Sequence, residues 1–538
     1  MRPHEVRRER WRRVLLVAVL LAGIALIYLV FNVSRFSLLG DANAMDYAQI
    51  ARHVLRGEGF TTSFIKPLSL VFHRSVENHP DLTYPPGHIL WTAAIMRVLG
   101  TTDRAVSHSS GLAFVLTMPL VFWLAYVMFD WRTALLATAL CGTHITLLGY
   151  AISGTESSLL GLLVTALLLV LYMAARTEGS EMPWVIAAGL LMGLAYMTKY
   201  VWLVAALPIV VYLARLRPQR RLARVALFVA LTGAVASPWL YRNWRVVGNP
   251  FFTLRAFEMR GQTRSHPANT IYRTFRDHYD TYLVFAGQNP RAVFEKLRQG
   301  FSVFYASFHG LAGVFVTPFF IVGVLVRLGS DAVERLRRLL YGMLVVVALA
   351  LTMLIAAPRL LAPLSPVMII LATVFFWRLL DARLQGLDER ARGRWTALAV
   401  ALLIVLHAHP FVTEITPDEP TAPAAETPAE TAMRQLAQAV DGPVLTDAPW
   451  TVAWRADVIA IWVPQSAIDF RKMEAAVGRF RWLLLTPDLP RMAAQERLNW
   501  WADAWGRGLQ GPVEHLGFVV RSGLADGTWE LWEREAER

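Results

Sequence analysis

Six side chains that could do chemistry stand beside apolar boundaries: Asp41 and Asp46 in "GDANAMDYAQIARHVLRGEGF", Tyr84 in "YPPGHILW", Glu156 in "GTESS", Lys199 in "YMTKY" and Arg359 in "APRLLAPLSP". Ionisable groups are costly at such boundaries unless exposed, paired or used. Carboxylates grouped with Lys and Arg suit transfer of a group from a phosphate leaving group to a hydroxyl. A carboxylate takes the proton of the acceptor, and the cations hold the charge left on the departing phosphate. An Asp with a pKa of about 3.9 is a weak base, so this chemistry asks for partial burial or a second carboxylate nearby. Asp46 and Glu156 are the candidates for that neighbour. Taken singly, each residue is equally explained as a side chain reaching from an apolar segment to the interface, and Tyr84 as an interfacial anchor.

The elements that would gather these residues are membrane spans. The chain has 538 residues, 55% of them hydrophobic, with 19 Trp and a formal net charge of +13; its mean hydropathy is +0.41. Repeated apolar runs of spanning length exclude an ordinary soluble enzyme. The arginines lie in short clusters between those runs, a topology signal rather than a nucleic-acid surface. "RLRPQRRLAR" (Arg215–Arg224) is the clearest of them. The single cysteine, Cys141, lies inside an apolar run and can form no intrachain disulfide.

The first run, "VLLVAVLLAGIALIYLVFNV", follows "RRERWRR" and has no small-residue cleavage site after it, so it reads as an uncleaved anchor with a cytoplasmic N-terminus. A span needs about 20 residues. Gly87–Gly100 fails that test and contains Arg97, which suits a helix lying at the interface. If it does not cross, alternation puts the clusters at 130–132, 176–182, 215–224, 327–338 and 378–394 on one side, the cytoplasmic one; if it crosses, all of them lie outside. The first count is preferred. Its spans run approximately 14–33, 110–129, 133–152, 157–175, 183–198, 201–214, 225–240, 309–326, 339–357, 360–377 and 395–409, about eleven helices.

On this map the six residues share one side, in outer loops of about 34–109 and 241–308 or at the outer ends of spans. A Pro/Ala/Thr/Glu linker over 411–431 reads as a flexible tether. Residues 432–538 read as a small outer α/β domain, with strands at "PVLTD", "RWLLLTP", "HLGFVVRSG" and "TWELWERE" and helices at "AIDFRKMEAAVGR" and "AAQERLNWWADAWGRGL". His79, His266 and His278 read as solvated loop residues, since no HExxH or tight ligand spacing supports a metal site. No cofactor is expected; Lys and Arg can meet the charge of a monophosphate leaving group, and a divalent metal is possible without being supported. A transporter would instead place polar or broken helices at the bilayer midplane, where Asp, Glu, Lys and Arg are nearly absent here.

"GDANAMDYAQIARHVLRGEGF" followed by "YPPGHILW" resembles the first outer loop of the GT-C glycosyltransferases, family 39-like, related to protein O-mannosyltransferases and the lipid A aminoarabinose transferase. "GLLMGLAYMTKY", "SPWLYRNWRVVGNPF" and "APRLLAPLSPVMIILA" are similar to later landmarks in the same order, so the resemblance spans about 10–410. "GPVLTDAPWTVAWRADVIAIWVP" is similar to the C-terminal domain of many bacterial members. The resemblance implies an inverting transferase in the bacterial inner membrane, moving one sugar from a polyprenyl phosphate to a lipid, glycan or protein acceptor at the outer face. It implies Asp41 as catalytic base, Glu156 as a second acidic position, and Lys199 and Arg359 near the lipid phosphate; apart from the resemblance, Tyr84 reads as a residue that orients the donor or as an interfacial anchor. In that family the Asp commonly lies four residues before the Tyr. Here Asn43 holds that place and Asp41 lies six before Tyr47, which keeps Asp46 as a rival.

Overall fold

The computed structural model describes residues 3–276, 279–416, 427–496, 501, 516–525 and 527–534, with side chains from Trp11 onward. Among the described residues, seven helices are long and apolar enough to cross a membrane: Trp11–Arg35, Asp103–Met128, Ser157–Arg176, Arg221–Val247, Asp331–Met353, Pro358–Arg383 and Glu389–Ile415. Two further helix pairs reach that length and apolarity only together and are bent, Trp131–Gly142 with Ile145–Ile152 by 55° and Pro290–Ala312 with Thr317–Gly323 by 104°, each a broken span or a re-entrant loop. Met182–Thr198 and Tyr200–Leu216 are shorter apolar helices. Each of the eleven expected spans therefore falls on a helical segment, and the protein is a polytopic, mainly helical membrane protein.

Two spans differ from expectation. The run 133–152 is not one rod: it breaks before His144, whose Nδ1 accepts from the amide of Thr146 at 3.2 Å and caps the second half. The run 309–326 begins earlier, at Pro290, because its first half is amphipathic and reads from sequence as loop. That crossing turns at Gly313, whose φ is +89° and where a Cβ would lie 2.6 Å from the His407 ring. Glycine meets both demands, conformational and steric.

The basic clusters meet at one end of the bundle. Arg132 pairs with Asp381 at 3.4 Å and Arg217 with Glu181 at 3.4 Å. Arg176 donates to the carbonyl of Val127, Arg335 to that of Leu216 and Arg378 to that of Arg327. All five clusters are joined in this way and so share one end, as both counts of the spans require. The Gly87–Gly100 segment is the 14-residue helix Pro86–Leu99, too short to cross.

At the opposite end lies a six-stranded sheet. Its strands are β1 (Phe64–Ile65), β2 (Val444–Thr446), β3 (Ala460–Trp462), β4 (Trp482–Leu485), β5 (Phe518–Leu524) and β6 (Trp529–Arg534). The order is β1-β3-β2-β4-β6-β5, the first four parallel and β6 antiparallel to both its neighbours. β1 comes from the first outer loop, with Phe64 opposite Ala460 and Ile65 opposite Ile461. Neither β1 nor β3 is foreshadowed in the sequence, since two or three residues carry too little alternation to read. The helix Ala467–Val477 matches the expected one, whereas most of "AAQERLNWWADAWGRGL" lies outside the described residues. The expected linker is partly helical: Glu389–Ile415 runs into it, and Pro428–Ala439 starts inside it on a Thr427–Glu430 capping box. Residues 417–426 lie outside the described residues.

The sheet domain grips the helix Ala42–Arg56. Arg52 donates to the carbonyls of Trp454 and Ala453 at 2.8 and 2.7 Å, and Asp457 pairs with both Arg52 and Arg56. Trp454 and Arg455 both reach Asp103, at 2.6 and 3.1 Å.

Within the sheet, Asp447 is fully buried and accepts from the amide and hydroxyl of Thr486 at 3.0 and 2.6 Å. Burial pushes its carboxyl up to about 7. Between roughly pH 4 and 7 the folded chain keeps this proton and the unfolded chain has lost it, its Asp titrating near about 3.9. The stabilisation is complete below about pH 4 and is lost as pH rises through about 7. Asp447→Asn is expected to flatten that slope, measured as thermal unfolding of the full chain in nanodiscs from pH 5 to 8.

Candidate functional site

Asp41 is the N-cap of the helix Ala42–Arg56, in extended backbone, its Oδ1 accepting from the amides of Asn43 and Ala44 at 2.8 and 3.3 Å. A carboxylate there is favoured by the free amides and the helix dipole. Its Oδ2 lies 3.0 Å from Arg359, and a third of the Asp41 side chain stays exposed. Asp46, a turn further on, is sealed at 1% exposure between Gln49 at 2.9 Å and Lys66 at 3.2 Å. Glu156 begins the helix Ser157–Arg176, has no exposure, and pairs with Lys199 at 2.6 Å. Lys199 also donates to the Tyr47 hydroxyl at 3.3 Å.

Tyr84 is the hub. Its ring centroid lies 4.5 Å from that of Tyr47 and 4.9, 5.6 and 5.9 Å from the charged groups of Arg255, Lys66 and Lys199. Its hydroxyl donates to Asn43 Oδ1, which also accepts from Arg255 at 3.1 Å. Burial, then the nearby Asp46, push its phenol well above the ordinary value, so it stays a neutral donor. The turn "HPDLTYPP" holds it in place: Asp81 accepts from the amides of Thr83 and Tyr84, and the helix Pro86–Leu99 starts on the prolines that follow.

The side chains around Tyr84 open onto a cavity of about 700 Å³. Lys66, Lys199, Arg255 and Arg359 line it. Behind each stands a carboxylate: Asp46, Glu156, Glu258 and Asp41, at 3.2, 2.6, 2.6 and 3.0 Å. Of these four acids only Glu258 is itself among the lining residues, so the wall turned to the cavity is cationic. Below the cations the lining is apolar, with Val201, Val204, Leu351 and Leu354 at the ends of bundle helices. A second cavity of about 610 Å³ adjoins, with Gln262 common to both.

All six residues singled out from sequence gather around this cavity, but not in equal roles. Asp41 lies just behind the wall, which Ala42 and Asn43 form, with its carboxylate partly open. Asp46 and Glu156 are closed off by their lysines. Lys66, Arg255, Glu258 and Tyr272, which lines the cavity and donates its hydroxyl to Glu258 at 2.5 Å, were not legible from sequence; a lone Lys in the apolar "SFIKPLSL" was the one available signal. The histidines need correction, for they are not solvated. His79 is buried between Ser69 and the carbonyl of Ser75, at 2.8 Å from each, and burial draws its pKa down to about 4. His266 is buried as well, with its pKa drawn down to about 4. His278 lies outside the described residues. Among the described residues, no group of three or more His, Cys, Asp or Glu side chains is arranged to hold a metal ion.

Residues 83–241 match the family model described as dolichyl-phosphate-mannose-protein mannosyltransferase. No curated protein sequence matches the chain. Among solved structures, ArnT from Cupriavidus metallidurans bound to undecaprenyl phosphate superposes with a TM-score of 0.58 at 16% identity, covering 97% of this chain and 98% of that one. The archaeal oligosaccharyltransferase AglB from Archaeoglobus fulgidus, in complex with an inhibitory peptide and a dolichol-phosphate, gives 0.57 at 11% identity, covering 89% and 71%.

Proposed function

We propose that this membrane protein, a chain with the GT-C glycosyltransferase fold, transfers one sugar from a polyprenyl-phosphate donor of the undecaprenyl type to a hydroxyl acceptor, with inversion. One observation carries the reading: four cations converge on a single cavity whose lower lining is apolar and built from helix ends. A lipid phosphate needs those two surfaces side by side. The arrangement of the basic clusters at the other end supports a site at the outer face of a bacterial inner membrane, with the N-terminus cytoplasmic and the sheet domain outside.

The donor phosphate sits among Lys66, Arg255, Lys199 and Arg359, with the Tyr84 ring beneath. Asp41 takes the proton from the acceptor hydroxyl, whose oxygen attacks the anomeric carbon. The bond from that carbon to the phosphate oxygen breaks, and its electron pair leaves on the phosphate, where the cations hold the added charge. Asp41 suits the task better than Asp46 or Glu156 because its carboxylate is partly open and theirs are enclosed. Arg359 donates to Asp41 Oδ2 at 3.0 Å and so fixes the orientation of the carboxylate. The acceptor, a lipid, glycan or protein hydroxyl, reaches the site through the adjoining cavity beside Gln262.

Single turnover in lipid nanodiscs, with undecaprenyl-phosphate sugars of defined anomeric configuration, is the test. The expected product has the opposite configuration to the donor; retention would rule out direct displacement with Asp41 as base. In the same nanodiscs the paired substitution Lys66→Gln with Asp46→Asn removes one cation without stranding a buried charge. It is expected to weaken undecaprenyl phosphate binding by about tenfold or more, in line with loss of a charge-assisted contact of about 1.5–3 kcal/mol, while the melting temperature stays near that of the unaltered protein.

A further inference from the structure

The cavity has a third surface that the proposed reaction leaves unused. Trp450 and Trp462 of the sheet domain line it together with Phe64. The three rings form one edge-to-face cluster, with centroids 5.6 Å apart for Phe64 and Trp462, 5.7 Å for the two tryptophans and 6.1 Å for Phe64 and Trp450. Lys66 Nζ lies 3.9 Å above the Phe64 ring, so the cluster begins where the cations end.

The two tryptophans are not equivalent. Trp462 is buried, donates its indole N–H to the carbonyl of Asp447 at 3.2 Å, and has the Arg273 guanidinium 4.2 Å from its ring centroid. It is held from behind by structure. Trp450 is only half-buried, and its indole N–H makes no hydrogen bond among the described residues. Buried Trp ordinarily finds a partner for that group, and in a half-buried one it remains available to a ligand. A rigid aromatic face with a free donor at its edge, fixed inside a cavity, matches a sugar ring: the ring's C–H face meets the negative face of the indole, and its hydroxyls accept from the N–H.

The surfaces also match the parts of one molecule. Apolar helix ends, cations and aromatic rings of the outer domain correspond in order to a polyprenyl chain, a phosphate and a sugar. We infer that Trp450 is a recognition residue for the donor's sugar, with Phe64 and Trp462 fixing its orientation, so that the sheet domain takes part in choosing the carbohydrate. This rests on the polyprenyl-phosphate reading above. Fastening the domain to the first outer loop accounts for the packing of all three rings, Trp450 included, but not for the unused indole N–H of Trp450.

The test measures binding to full-length protein in nanodiscs of undecaprenyl phosphate and of its esters with glucose, mannose, galactose and arabinose. Trp450→Ala is expected to weaken the esters that bind by about tenfold, the order of an aromatic stacking contact, and to leave undecaprenyl phosphate within about twofold. Trp450→Phe is expected to keep part of the ester affinity. Equal loss for the esters and the bare phosphate would make Trp450 a support for the cavity and overturn the inference. Unchanged ester affinity in Trp450→Ala would overturn it as well. If unaltered protein bound neither the phosphate nor any ester, the polyprenyl donor itself would be removed, a failure distinct from the loss of the sugar platform alone.

Discussion

Asp41→Asn is expected to bind undecaprenyl phosphate as the unaltered protein does and to lose turnover by about 10²–10⁴-fold, the range for a positioned general base. The substitution is informative because so little else changes. Asn is as good an N-cap as Asp, so the amides of Asn43 and Ala44 keep an acceptor and the helix Ala42–Arg56 keeps its start. Only the charge facing Arg359 and the capacity to take a proton are removed. Turnover within tenfold of normal would move the role to Asp46. The matching change there behaves differently: Asp46→Asn leaves Lys66 buried without its counter-charge, so a loss of stability is expected alongside any loss of activity.

The second large effect belongs to Lys199. Removing it as Lys199→Ala leaves Glu156 ionised with no exposure, and breaking such a buried pair costs about 3–5 kcal/mol. A marked fall in the melting temperature is expected. Neutralising both partners, Lys199→Met with Glu156→Gln, is expected to recover most of that loss. Lipid binding by the recovered double variant then separates two duties. Near-normal affinity would show that Lys199 serves to neutralise Glu156, with the phosphate resting on Lys66 and Arg255. Weak affinity in a stable protein would show that Lys199 touches the phosphate.

The helices were legible because a spanning helix must satisfy its own backbone, which forces a long apolar run onto the sequence. Length marked one short run as too short to cross, with charge placement preferring the same count, and that run is the 14-residue helix Pro86–Leu99. Where a crossing is amphipathic, as over Pro290–Ser307, the signal fades and the boundary is misread. The site was legible in its acids and in the two cations set between spans, because a charge beside an apolar segment stands out. Arg255 stands in a mixed loop where a cation is ordinary and Lys66 in a short apolar stretch that is not a span, and only the approach to Tyr84 sets them apart. Trp450 was hidden for the same reason, since its partners in space come from the first outer loop.

The strand pairing of Phe64 with Ala460 sets a clock on manufacture. Arg52 waits for carbonyls 402 residues downstream before its clamp can close. At about 5–20 residues per second, that is about 20–80 s of synthesis. Through that interval the first loop, with Asp41 and Lys66 already made, has neither the sheet that receives its strand nor the tryptophans that wall its cavity. A half-made chain therefore carries Asp41 and Lys66 beside a cavity that lacks one wall, and that wall is completed only when the sheet that pairs Phe64 with Ala460 has been made.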